Sequence, residues 1–119
     1  MLDTFPFNAG TTASDALWMG TPIVTRRGRT YISRMAASLL SAVALPDLVG
    51  EDLAGYEKLA ITLGREPARV ASYKRYLAEH GRQSPLFDVP AIVRAIEAAV
   101  EPLAHAARGA RAARGARAS

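Results

Sequence analysis

The sequence contains no cysteine, so neither a disulfide nor a thiolate metal site can form in the chain. Histidine is almost as scarce, because His80 and His105 are the only two. No apolar run approaches the ~18–20 residues that a membrane span requires, and the first residues show no signal-peptide pattern. These absences fit a reducing compartment, and we expect a cytoplasmic protein without membrane contact.

Positive charge is concentrated at one end of the chain. The net charge is +4, yet residues 1–103 carry equal numbers of basic and acidic side chains. The excess lies in residues 104–119, an alanine, glycine and arginine segment without an acid or a large apolar side chain. Ordering such a segment costs ~1–2 kcal/mol per residue with little burial in return. We therefore predict a folded portion over 1–103 and a disordered tail over 104–119.

Nucleic-acid binding is the weakest interpretation of this charge. The arginines of the tail could contact phosphates without sequence preference. However, no aromatic residue alternates with them, and no nucleic-acid-binding motif is present. We therefore expect no nucleic-acid partner.

Apolar residues recur at helical spacing in several segments, which predicts helices at about 12–19, 30–45, 51–63, 67–80 and 88–103. Strand signals are sparse by comparison. Leu2–Asp3 has the character of a strand end, and Pro22–Thr25 is a short β-branched run typical of a buried strand.

The sequence predicts about five helices but only one or two short parallel strands, which are too few to form a stable sheet. A two-stranded sheet is not stable alone, and an apolar parallel strand requires neighbours on both sides. We predict an α/β fold, mostly helical here, that is the C-terminal part of a larger domain. The alternative is an all-helical domain with incidental extended pieces.

The stretch from Asn8 to Asp15 has the layout that α/β proteins use to hold phosphate. The first amides of a helix lack intrahelical partners, and the helix dipole places about half a positive charge there. Gly10 allows close approach to the backbone. Thr11 and Thr12 carry hydroxyls for phosphate oxygens, and Asp15 could accept hydrogen bonds from a ribose diol.

The same residues also have a plainer interpretation. Thr12 and Asp15 have the Thr-x-x-Asp form of a capping box. Such a cap contributes about 0.5–2 kcal/mol to a helix and needs no ligand. The local pattern by itself favours capping over binding.

Longer motifs change this balance. Residues 2–25 read LDTFPFNAGTTASDALWMGTPIVT, and they are followed in order by GRT at 28–30, SRMAASLL at 33–40, YEKLA at 56–60 and SPLFD at 84–88. Together they resemble the C-terminal catalytic region of the O-linked N-acetylglucosamine transferase family. That family includes SPINDLY-like proteins and bacterial members with tetratricopeptide repeats. The resemblance covers about residues 1–103.

The resemblance implies a GT-B fold, in which two Rossmann-like domains face a cleft. It also implies a nucleotide-sugar donor, a UDP-sugar or a GDP-sugar, held without a metal or cofactor. Thr11 and Thr12 match the pair of threonines that contacts the donor diphosphate, and Asp15 matches the ribose-binding carboxylate. Gly10 replaces the histidine of the animal enzymes, so it can offer only its backbone to the donor.

Other departures limit what the resemblance can assign. Arg26 and Arg27 replace the less charged residues usual before the glycine at position 28. The uracil-contacting segment, the basic residue that neutralises the diphosphate, the N-terminal catalytic domain and the acceptor-binding repeats have no counterpart in this sequence. We therefore assign no catalytic residue, and neither His80 nor His105 matches a family site.

These observations predict part of a glycosyltransferase that moves a sugar such as N-acetylglucosamine to Ser/Thr hydroxyls of a protein acceptor. This segment would bind the donor diphosphate and ribose, and the 119 residues alone are expected to be inactive. The alternative is a truncated, non-catalytic remnant or an interaction module.

Overall fold

The computed structural model describes the backbone of residues 1–118 and the side chains of residues 1–108. Its helices are α1 (Thr11–Trp18), α2 (Met35–Ala42), α3 (Leu53–Arg65), α4 (Pro67–His80) and α5 (Val89–Ala118). Its strands are β1 (Thr25–Arg26) and β2 (Val49–Gly50). Short 3-10 turns occupy Ile32–Arg34, Pro46–Leu48 and Gly81–Gln83. The predicted composition of about five helices with a small parallel sheet is confirmed.

The sheet is parallel and very small. In β1, Thr25 lies opposite Val49 and Arg26 lies opposite Gly50 of β2. On the other side of the sheet, Leu2 forms an isolated parallel bridge with Val24. The two predicted strand segments, Leu2–Asp3 and 22–25, therefore lie side by side.

Strand β2 lies in a segment whose sequence predicts only a connector. Its two residues are too few to show an alternating pattern, and Gly50 has low strand propensity. The strand forms because α3 packs beside it. A Cβ on Gly50 would lie 2.5 Å from the backbone nitrogen of Tyr56, so only glycine permits this approach.

The core lies between the sheet and helices α1 to α4. It is formed by aliphatic side chains that are almost fully buried, with alanines where helices approach closely. These residues are Ala13, Leu17, Ile23, Val24, Ala36, Leu40, Val43, Leu45, Leu48, Leu63 and Leu77. The predicted buried faces of α1 and α2 supply much of this set, which explains why both helices form despite their short length.

Helix α2 is shorter than its apolar stripe predicts. The predicted span of about 30–45 begins as the 3-10 turn Ile32–Arg34 and ends at Ala42. Ala44 then adopts a left-handed conformation with φ of 58°, which a continuing right-handed helix does not allow. The apolar spacing thus continues past the point where the backbone turns.

The residues from Asp88 onward, which include helix α5, form a second compact unit, separate from Met1–Phe87. The predicted helix at 88–103 is present. The residues of its predicted apolar face are 41–69% exposed, namely Ile92, Val93, Ile96, Val100 and Leu103. No helix in the described part of the chain has both the length and the apolarity needed to cross a bilayer.

The structure continues α5 to Ala118, through most of the segment for which the sequence predicts disorder. Alanine has the highest helix propensity of all residues, which favours a helical backbone across this alanine-rich stretch. Ser119 lies outside the described residues. The domain boundary at residue 103 stays a prediction.

Candidate functional site

A single buried carboxylate holds the loop that leads into α1. Asp3 is only 5% exposed. Its Oδ1 accepts the N–H of Thr4 at 2.9 Å and the N–H of Ala9 at 2.8 Å, while its Oδ2 accepts the Thr25 hydroxyl at 2.6 Å. The carboxylate therefore ties both ends of the loop to each other and to β1.

Two further side chains complete this arrangement. Asn8 is fully buried, and its Nδ2 donates to the carbonyl of Thr4 at 2.8 Å. Tyr56 on α3 donates its hydroxyl to the carbonyl oxygen of Asp3 at 2.9 Å. Burial, reinforced by the charge of Asp3, raises the pKa of Tyr56. The tyrosine is thus held as a neutral donor that joins α3 to the loop.

Asp3 is a residue that the sequence-based site prediction does not include. The only available signal is a lone acid directly after an apolar residue at a predicted strand end. A carboxylate in such a buried position needs several donors, and the amides of a following loop are the nearest ones. That reasoning would have identified Asp3 as a loop anchor.

Helix α1 begins without a side-chain cap. Gly10 is its N-cap residue, and none of the described side chains accepts a hydrogen bond from its first turn. The capping box predicted for Thr12 and Asp15 is therefore wrong. The helix starts one residue earlier than predicted, so these residues occupy the second and fifth helical positions, where the box cannot close.

The missing cap leaves backbone donors free at the helix start. The first helical hydrogen bond is the one from the Ser14 N–H to the Gly10 carbonyl, at 3.0 Å. Within the described part of the chain, the four preceding amides have no hydrogen-bond acceptor, namely those of Gly10, Thr11, Thr12 and Ala13. These are the orphan donors on which the helix dipole concentrates positive charge.

The structure brings the four predicted donor-binding residues together at this helix start. Ala13 and Leu17 bury the inner face of α1 in the core. Thr11, Thr12 and Asp15 are consequently exposed on the other face. Their arrangement offers hydroxyls and amides to an anion, with a carboxylate one turn further along. Their assignment as ligands of a donor stays a prediction.

The two unusual arginines lie on different sides of the sheet end. The Arg26 guanidinium lies 5.2 Å from the centre of the Phe5 ring, in the loop that leads to α1. Arg27 instead forms an ion pair with Glu51 at 3.4 Å. This divergence follows from the alternation of side chains along a strand. Arg26 therefore faces the loop side, and Arg27 faces the end of β2.

Known proteins resemble this chain in sequence and in fold. The family model for Glycosyl transferase family 41 matches residues 1–96. The "Probable UDP-N-acetylglucosamine--peptide N-acetylglucosaminyltransferase SPINDLY" of Eustoma exaltatum subsp. russellianum is 34% identical over 87% of this chain. The UDP-N-acetylglucosamine--peptide N-acetylglucosaminyltransferase of Caenorhabditis elegans is 38% identical over 74% of this chain. The chain spans only 11% and 8% of the lengths of these two relatives.

A solved structure agrees with the sequence comparison. A mutant O-GlcNAc transferase of Thermobaculum terrenum matches 74% of this chain with a TM-score of 0.67 and 34% identity, over 16% of that chain. The predicted relationship to the GT-B transferase fold is thereby confirmed. On the match of the family model, the relatives and this fold, the chain belongs to glycosyltransferase family 41.

Proposed function

We propose that this chain forms the donor-binding part of a glycosyltransferase, in which the start of α1 holds the diphosphate of a nucleotide sugar. The observation that supports this most directly is the uncapped helix start, with four free amides beside two exposed threonine hydroxyls. A helix start of this kind is suited to an anion. Membership of a glycosyltransferase family supports the diphosphate of a nucleotide sugar as that anion.

Each residue would have a distinct role in sugar transfer. A hydroxyl of the acceptor attacks the anomeric carbon, and the nucleoside diphosphate leaves with the electron pair of the broken bond. The amides of Gly10, Thr11 and Thr12 and the hydroxyls of Thr11 and Thr12 would stabilise the negative charge that develops on the diphosphate. Asp15 would accept hydrogen bonds from the ribose diol.

Asp3 would act on this site indirectly. Its Oδ1 holds the amide of Ala9, the residue directly before the N-cap Gly10. Fixing Ala9 sets the direction in which the first amides of α1 point. Asp3 is therefore a positioning residue in this proposal, and it makes no contact with the donor.

The wider proposal covers the donor, the acceptor and the remainder of the cleft. The relatives are named for UDP-N-acetylglucosamine and peptide, so we propose a UDP-sugar donor and Ser/Thr hydroxyls of a protein acceptor. Leu2 is 59% exposed at the open edge of the sheet, which suits pairing with a further strand. We propose that such strands and the facing domain come from polypeptide outside these residues. Metal-free donor binding and a cytoplasmic location stay predictions.

A binding experiment tests the role of the helix start. UDP is titrated into the chain and into the double variant Thr11→Ala/Thr12→Ala, with Thr21→Ala/Thr62→Ala as the matched control. We expect the first pair to weaken UDP binding by about tenfold or more, because two hydrogen bonds to a charged group are lost. The control should bind as the unmodified chain does. Equal losses in both variants, or no UDP binding at all, would contradict the proposal.

Catalysis by the chain alone is a separate matter. This chain spans only 11% of the length of the first matched relative. We therefore expect no sugar transfer from UDP-N-acetylglucosamine to a peptide by the purified 119 residues. Turnover above the no-protein control would show that the chain carries a complete active site.

A further inference from the structure

A small cavity lies at the end of β1, beside the loop that leads to α1. Its volume is about 220 Å³, and it is lined by Phe5, Pro6, Arg26, Arg29, Thr30 and Ser33. The carboxyl ends of parallel strands are where α/β folds bind ligands. The cavity is therefore in a position suited to binding, although no residue of the proposed donor site lines it.

The positive charge at this cavity is not neutralised from within. Among the described residues, neither Arg26 nor Arg29 has a carboxylate within ion-pair distance. The Nε of Arg26 is buried without a hydrogen-bond partner. The neighbouring Arg27, in contrast, is paired with Glu51 at 3.4 Å. A guanidinium without a carboxylate partner keeps its charge available to an external anion.

Arg26 is also held in place before any ligand arrives. Its guanidinium lies 5.2 Å from the centre of the Phe5 ring. Phe5 in turn packs edge-on against Tyr56, with ring centres 5.5 Å apart. The Tyr56 hydroxyl donates to the carbonyl of Asp3 at 2.9 Å. This series of contacts reduces the entropy that Arg26 would lose on binding.

One wall of the cavity is a tightly closed turn, which also carries Arg29. The Gly28 N–H donates to the carbonyl of Ser33 at 2.8 Å. A Cβ on Gly28 would lie 2.2 Å from the Ser33 hydroxyl oxygen, so the turn closes this tightly only with glycine. The hydroxyls of Thr30 and Ser33 are 2.9 Å apart and lie on this wall. These hydroxyls bond to each other and to the Thr30 backbone, so this wall is fixed before any ligand arrives.

We propose that this cavity binds a phosphate group through the guanidinium groups of Arg26 and Arg29. Planar guanidinium groups bind phosphate oxygens by paired, charge-assisted hydrogen bonds. The phosphate has two sources with the same chemistry. One is the diphosphate of the nucleotide sugar, in which case this inference rests on the proposed function. The other is free phosphate, which does not depend on the donor.

Titration with two probes tests the inference. Inorganic phosphate and UDP are titrated separately into the chain and into Arg26→Met and Arg29→Met, and Arg27→Met serves as the matched control. We expect each of the first two substitutions to weaken phosphate binding by about tenfold, the loss typical of one good charged contact. Arg27→Met should change it by less than about twofold, because that side chain is paired with Glu51.

The outcomes separate the two sources and the two proposals. If UDP binding falls together with phosphate binding, the phosphate is that of the donor; if UDP binding is unchanged, the site takes free phosphate. Equal losses in Arg26→Met and Arg27→Met would overturn the inference, as would an absence of phosphate binding by the unmodified chain. Arg29 is exposed, so its substitution remains informative if Arg26→Met unfolds the chain.

The threonine pair keeps the two proposals distinguishable. If Thr11→Ala/Thr12→Ala weakens UDP binding while Arg26→Met and Arg29→Met change neither probe, the inference fails and the proposed function stands. If the arginine variants lose phosphate while the threonine variant binds UDP unchanged, the proposed function fails and the inference stands.

Discussion

At the scale of single residues, Asp3 organises more of the site than any of the residues that would touch a donor. Its carboxylate accepts from two loop amides and one hydroxyl, with distances between 2.6 and 2.9 Å. Thr11, Thr12 and Asp15 can function only if the loop before them is fixed. The residue that determines the geometry is therefore buried, while the residues that would use it are exposed.

The anchoring role of Asp3 predicts a large effect of removing its charge. Asp3→Asn should lower the free energy of unfolding by about 2–3 kcal/mol. The substitution removes the negative charge and replaces one of the two accepting oxygens by an NH₂ group, which cannot accept a hydrogen bond. Asp15→Asn, at an exposed position on α1, should change it by less than about 0.5 kcal/mol. Urea unfolding followed by circular dichroism measures both. Similar losses in the two variants would show that Asp3 is not an anchor.

Tyr56 makes the free energy of unfolding depend on pH in the alkaline range. Because burial raises its pKa in the folded state, the folded chain holds the phenolic proton more tightly than the unfolded chain does. This stabilisation is complete below the unfolded pKa of about 10 and is lost as the pH rises through the folded pKa. Tyr56→Phe should therefore reduce the fall in unfolding free energy above that pH.

The control for this prediction is Tyr31→Phe, since Tyr31 is 79% exposed. It should leave the alkaline pH dependence of unfolding unchanged. Some dependence should remain in Tyr56→Phe, because burial also raises the pKa of Tyr73. If Tyr56→Phe and Tyr31→Phe have the same pH dependence as the unmodified chain, the contact of Tyr56 with Asp3 does not form in solution.

At the scale of elements, close packing determines features that periodicity does not show. The apolar stripes predict where helices form, and the five helices are present. The stripes do not show where a helix stops, because Ala44 ends α2 by its backbone conformation while the apolar spacing continues. Nor could a capping motif locate the start of α1, because the Asp3 bond to Ala9 fixes where the loop ends.

The surroundings of two glycines, Gly50 in β2 and Gly64 in α3, predict opposite effects of an alanine substitution on stability. Gly50→Ala should destabilise the fold by about 1–3 kcal/mol, because the new Cβ would lie within 2.8 Å of backbone atoms of Tyr56. Gly64→Ala should stabilise it by about 0.5–1 kcal/mol, because Gly64 lies in α3 with no atom within 4 Å of the Cβ position. Thermal unfolding of the two variants measures both effects. A neutral Gly50→Ala would mean that β2 and α3 are not in contact.

At the scale of the whole molecule, Met1–Phe87 and the residues from Asp88 onward are separate compact units. The proposed donor site lies wholly in the first of them. The sequence motifs could predict the family, because they occur in the expected order along residues 2–88. They could not predict the contact of Arg26 with Phe5 or the hydrogen-bond partners of Asp3, because these depend on which residues the fold brings together.

Truncation after Leu103 tests whether residues 104–119 contribute to stability or to nucleic-acid binding. The change removes all of the excess positive charge and leaves Met1–Phe87 intact. We expect the thermal unfolding midpoint to stay within about 2 °C of that of the full chain, and any binding to RNA to disappear. RNA binding that survives the truncation would place a nucleic-acid site within residues 1–103. A large fall in the midpoint would show that residues 104–119 stabilise it.

The most direct test of the central claim is to record amide NMR spectra of the chain with UDP and with uridine. Binding of the diphosphate at the start of α1 predicts that the largest UDP-induced shifts occur at the amides of Gly10, Thr11, Thr12 and Ala13. Uridine, which lacks the diphosphate, should leave these four signals in place. If UDP shifts other residues instead, or if uridine shifts these four to the same extent, the start of α1 is not the diphosphate site.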